Sequence, residues 1–199
     1  MQIAAVSFAE AILSGAADMS KTKKIAICAM MSALGALIMY VGSLFGVFDI
    51  SAACISSFIV LFVLIELGTR YSLCVYAVTS VLSFIVVTDK LSAYFYILFF
   101  GLMPITKRAF ETLGAKVGMT LSYIAKIVTF NVELLIFGYF TKEIFLDIGT
   151  GTELIGEDLL IAVYFVLANV IFILADILYG TCTRIYFFRF RKRIEKFLR

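Results

Sequence analysis

Most charged residues in this 199-residue chain fall in short joints, and between the joints run apolar stretches of about 15 to 23 residues. A soluble domain of this size cannot bury such a surface, with 63% hydrophobic residues, 16% charged residues and a mean hydropathy of +1.07. A bilayer supplies the apolar solvent instead, and a crossing helix needs about 20 mostly apolar residues. Backbone groups facing lipid must pair internally, which leaves helices or closed barrels. The stretches are continuously apolar and do not alternate with a period of two, so helices are expected. The sequence predicts an all-α integral membrane protein built as one domain.

Six spans are predicted: about Ile25–Val47, Ile50–Leu67, Tyr71–Val87, Leu91–Ile105, Met119–Phe140 and Leu159–Gly180. Lys and Arg fall almost entirely on alternate joints. One side collects Lys21, Lys23, Lys24, Arg70, Lys107, Arg108, Lys116 and the basic residues from Arg184 to Arg199, fourteen of the 17 in the chain. The other side holds Lys90 and Lys142 together with the acidic, glycine-bearing joint Thr141–Asp158. Basic residues flanking spans stay cytoplasmic, so both termini are expected inside the cell membrane. Three regions follow: residues 1–20, an interfacial segment or tail; 21–183, the six-helix transmembrane domain; and 184–199, a basic amphipathic tail suited to the anionic inner leaflet.

The composition excludes several classes. The chain has no His, which removes the commonest metal ligand and the usual neutral-pH proton carrier. Cys28, Cys54, Cys74 and Cys182 form no CxxC pair and read as small apolar fillers, with no metal site or disulfide expected. No nucleophile elbow, P-loop or paired acidic motif is present, so neither an enzyme nor a resident cofactor is expected. The positive charges lie beside spans, where lipid is the nearer partner, and nucleic acid is not expected.

Charges inside spans are costly and mark structural glue or function. Glu66 stands four residues before Arg70, a spacing that permits a helix-surface ion pair. In the fifth span Lys126, Asn131 and Glu133 interrupt an apolar run, and Lys126 and Glu133, seven apart, share a face. Asn169 and Asp176 lie in the sixth span. Because these spans run antiparallel, Lys126 and Asp176 fall at similar depth and are expected to form an ion pair. Glu133 and Asn169 suit either interhelical bonding or a polar ligand pocket. Tyr94, Phe95, Tyr96, Phe99 and Phe100 in the fourth span suit interface anchors or pocket walls, and Gly101 and Pro104 suit a bend or an end. The first span carries Ala29, Ala33 and Ala36 beside Ser32 and Gly35, small enough for close helix approach, inside the bundle or against a partner.

The layout resembles the substrate-binding S components of energy-coupling factor (ECF) transporters. The resemblance rests on size, six spans with both ends inside, the Lys21–Lys24 stretch, and Ala29-x-x-x-Ala33 in an alanine-rich first span. It covers about residues 21–185. It implies capture of a vitamin or similar small molecule at the outer face and delivery in complex with a T subunit and two ATPases. Ala29 and Ala33 would dock on the T subunit. The ligand site would include Asp49, Tyr96, Asn131, Glu133, Tyr164 and Asn169. A runner-up is a small membrane scaffold similar to the rod-shape-determining MreD proteins, which would bind no small molecule.

Overall fold

The computed structural model describes residues 20–46, 48–88, 90–140 and 157–186. These form α1 (Lys21–Phe45), α2 (Asp49–Glu66), α3 (Thr69–Val86), α4 (Lys90–Phe95), a π-helical segment (Tyr96–Phe100), α5 (Met103–Val117), α6 (Met119–Phe140) and α7 (Glu157–Ile185), with no β-strand among the described residues. Five of them, α1, α2, α3, α6 and α7, are long and apolar enough to cross a bilayer. The chain is a helical multi-pass membrane protein. The expected tail 1–20, most of the basic tail 184–199 and the joint up to residue 156 lie outside the described residues.

The expected span Leu91–Ile105 takes a different form. Helix α4 is six residues long and passes directly into the π-helical segment, where the Gly101 N–H donates to the Tyr96 carbonyl at 2.8 Å. In an α-helix that N–H would pair with Ile97. The Ile97 carbonyl instead accepts the Tyr76 hydroxyl at 2.7 Å. A Cβ at position 101 would sit 2.7 Å from the Tyr76 ring, so the phenol reaches this carbonyl only beside glycine. Pro104 stands in the first turn of α5, where its missing N–H costs nothing, and the helix runs on to Val117.

Helix α1 is capped by Ser20, whose hydroxyl accepts the Lys23 N–H at 3.4 Å. Its two faces differ. Cys28, Ser32, Gly35, Ala36, Met39 and Gly42 are buried, whereas Ala29, Ala33, Leu37 and Leu44 are exposed. In lipid there is little hydrophobic gain from helix association, so close packing and hydrogen bonds must hold the bundle. The buried face supplies both. A Cβ at Gly42 would lie 2.2 Å from the Ala52 Cβ, which marks how closely α1 and α2 cross. The Ser56 hydroxyl donates to the Gly35 carbonyl at 3.2 Å, and Ser72 donates to the Val60 carbonyl at 3.2 Å. Met39, Ala53, Val60, Val63, Val75 and Tyr96 fill the centre of this α1–α3 core.

Helix α2 ends at Glu66, and the chain reverses through Gly68 at φ 91°, a left-handed conformation that suits glycine. This break removes the expected Glu66–Arg70 pair, because the two residues sit on different helices. Glu66 accepts the Tyr186 hydroxyl instead.

Helix α7 is held differently from the rest. Only 6% of its span is buried, against 56% for α2. Among the described side chains, its polar and aromatic contacts with the bundle come from Asn169, Phe172, Asp176, Tyr179 and, just past the helix end, Tyr186, spaced by threes, fours and sevens so that they share one face. Four of these five meet their partners through polar groups.

Candidate functional site

Three charged side chains converge where α5, α6 and α7 meet. Asp176, on the bundle-facing stripe of α7, accepts Lys107 Nζ of α5 at 2.9 Å and Lys126 Nζ of α6 at 3.4 Å, both on Oδ1. Lys107 also donates to the Asp176 backbone carbonyl at 2.5 Å and lies 3.9 Å from Glu111. The three side chains are 9–13% exposed, so water screens them little. Charge-assisted hydrogen bonds between buried ions offset the loss of hydration only when the geometry is good, and Lys107 has the better of the two. Lys126 is left with one long bond to Asp176 and a cation–π contact, 5.6 Å from the Tyr123 ring centroid.

Around these groups lies a narrow cleft lined by Met103, Thr106, Phe110, Thr129, Phe130, Glu133 and Phe172 as well as the charged trio. Its clear core is about 20 Å³, room for one ordered water. Lys126, Thr129, Phe130 and Glu133 follow one another at helical spacing and present one face of α6 to the cleft. Thr129 and Thr106 donate their hydroxyls to carbonyls of their own helices, at 2.9 and 3.1 Å, which leaves their oxygen lone pairs as acceptors. Phe130 and Phe172 stack across the α6–α7 interface, with centroids 4.2 Å apart and planes 21° apart. Glu133 makes no hydrogen bond or ion pair among the described residues.

The other residues expected to bind ligand lie elsewhere. Asn131 and Asn169 pair reciprocally, Asn169 Nδ2 donating at 3.1 Å and Asn131 Nδ2 at 3.4 Å. Each amide also donates to the carbonyl four residues earlier, Ile127 and Phe165. The pair thereby satisfies its own donors and ties α6 to α7. Tyr96 is fully buried, and its hydroxyl lies beside those of Ser56 and Thr79 without a well-formed hydrogen bond. Asp49 occupies the first turn of α2, where a carboxylate complements the helix dipole. Its backbone carbonyl accepts the Ser92 hydroxyl at 3.5 Å. Tyr164 lies on α7, with its side chain outside the described ones. Of the described side chains in the expected set, Glu133 lines the cleft.

Lys126 and Asp176 meet as their matched depths imply. Lys107, assigned from sequence to a basic joint, is the closer partner of Asp176. The signal that could have found it is Pro104: a proline at a helix start carries Lys107 into the first turn of a new helix, three residues on and still beside the bundle. The remaining aromatics of the expected fourth span pack against neighbouring helices. Phe95 and Phe99 pack on Phe137 and Phe130 of α6, with centroids 4.8 and 5.6 Å apart, and Tyr94 meets Phe84 edge to face.

No family model, curated protein or solved structure matches this chain. Among the described residues no group of His, Cys, Asp and Glu is placed to hold a metal ion.

Proposed function

We propose that this chain is the membrane-embedded substrate-capture subunit of an importer of the ECF type, taking a vitamin or small metabolite and working with a separate T subunit and two ATPases. In this reading the α4–π–α5 segment completes a sixth passage and both termini are cytoplasmic in the cell membrane. The charge asymmetry of the joints supports that orientation. The observation that carries the proposal is the split of the small residues of α1. Ser32, Gly35 and Ala36 are spent on the internal core, whereas Ala29 and Ala33 are exposed on another face. A membrane helix that keeps a second small-residue face outside its own bundle offers a close-approach surface to another helix.

The test is Ala33→Leu, read by two measurements on one preparation. Loss of co-purifying T subunit and ATPases, with an unchanged melting temperature in detergent, supports docking through this face. Retention of the partners at wild-type level refutes it, and recovery of cell-envelope morphogenesis proteins by the wild type promotes the scaffold alternative.

A further inference from the structure

We propose that the cleft between α5, α6 and α7 binds a small zwitterion of the amino-acid class, its carboxylate held by Lys126 and its ammonium by Glu133. The proposal deepens the substrate-capture reading by naming the class of substrate and moving its seat to this cleft.

A weakly paired ammonium and, among the described residues, an unpaired carboxylate face one cleft from one helix. Lys126 is 8% exposed and offers three N–H donors, of which Asp176 takes one at 3.4 Å. Asp176 itself is already well served by Lys107, so Lys126 is not needed to neutralise it. Glu133 stands two turns further along α6, about 10.5 Å by helical rise, and has no partner among the described residues. At that offset the two cannot neutralise each other directly, since side-chain pairs on a helix form at three or four residues. A ligand carrying both charges can neutralise both. Between them Thr129 presents acceptor lone pairs suited to an ammonium, and the Phe130–Phe172 stack walls the cleft with apolar surface suited to a short hydrocarbon link.

The cavity volume of the cleft, about 20 Å³, is far below the roughly 300 Å³ at the lower end of small-molecule sites. That favours a small metabolite over a large planar one, and α7 must shift to admit even the small one. Helix α7 is the least buried span, and its described polar and aromatic contacts lie on one narrow stripe. It is therefore the wall that can move at least cost.

The experiment is a melting-temperature titration of the purified chain in nanodiscs with glycine, β-alanine and 4-aminobutyrate, beside acetate and methylammonium as single-charge probes. A saturable rise with at least one zwitterion, exceeding that with either single-charge probe, is expected. Apparent affinity should fall by at least about tenfold in Lys126→Met and in Glu133→Gln, as for loss of one partner of a buried charge pair. It should persist in Val132→Ala, which alters the exposed side of the same helix. Lys126→Met should fold, because Asp176 keeps Lys107. An equal response to acetate alone would overturn the zwitterion assignment, and no response to any zwitterion would overturn the site. The measurement needs no partner subunit. Binding without co-purifying ATPases would refute the importer reading and leave the site standing, and the converse result would refute the site alone.

Discussion

Asp176→Asn isolates the energetics of the charged cluster. The substitution keeps the shape of the side chain and removes the charge that both lysines share. Lys107 retains the Asp176 backbone carbonyl at 2.5 Å and Glu111 at 3.9 Å. Lys126 keeps only an amide oxygen and the Tyr123 ring, and its side chain is 9% exposed. Removing one partner of a buried ion pair costs about 3–5 kcal/mol, most of it from the charge left behind. Because one of the two lysines keeps other partners, the lower end applies, about 3 kcal/mol. The second substitution Lys126→Met removes the stranded ammonium and should return the double variant to within about 1 kcal/mol of wild type. The assay is unfolding by sodium dodecyl sulfate in mixed micelles, followed by circular dichroism. A cost below about 0.5 kcal/mol for Asp176→Asn, or a double variant no more stable than the single one, would refute the assignment of Lys126 as a buried cation dependent on Asp176.

Further predictions concern the packing. A double-mutant cycle of Asn131→Ala and Asn169→Ala should give a coupling of about 0.6 kcal/mol and no more than about 1.7 kcal/mol, the range for interhelical hydrogen bonds in membranes; additivity would show that the amides do not meet. Gly42→Val should destabilise by at least about 2 kcal/mol because α1 and α2 cannot separate without losing the core, whereas Gly138→Ala, with nothing within 4 Å of the added Cβ, should be neutral or stabilising by about 0.5 kcal/mol in the same assay. Tyr76→Phe removes the donor to the Ile97 carbonyl, and hydrogen exchange should rise in residues 96–102 while α2 keeps its protection; unchanged exchange there would show that the phenol does not hold the π-helical segment.

Five of the six expected spans were legible because each is a long apolar run bounded by charge, and lipid leaves the backbone few alternatives to a helix. The depth match of Lys126 and Asp176 was legible for the same reason: rise per residue and antiparallel order fix it. The break in the expected fourth span was only half legible. Gly101 and Pro104 mark it, but the π-helical turn depends on the Tyr76 hydroxyl, 21 residues from the carbonyl it serves. Nothing local distinguishes Tyr96, which is buried, from its neighbours in the aromatic run, since the choice is made by the space between α1, α2 and α3. The reciprocal amides show a similar limit. Asn131 and Asn169 each suit a ligand or a partner helix equally well in sequence, and only their juxtaposition selects the latter bond.

The most direct test of the central claim is gentle purification of the chain from native membranes, with mass spectrometry of the proteins that accompany it. Recovery of a T subunit with paired ATPases is the expected result for a substrate-capture subunit. Recovery of cell-envelope morphogenesis proteins without ATPases would contradict it.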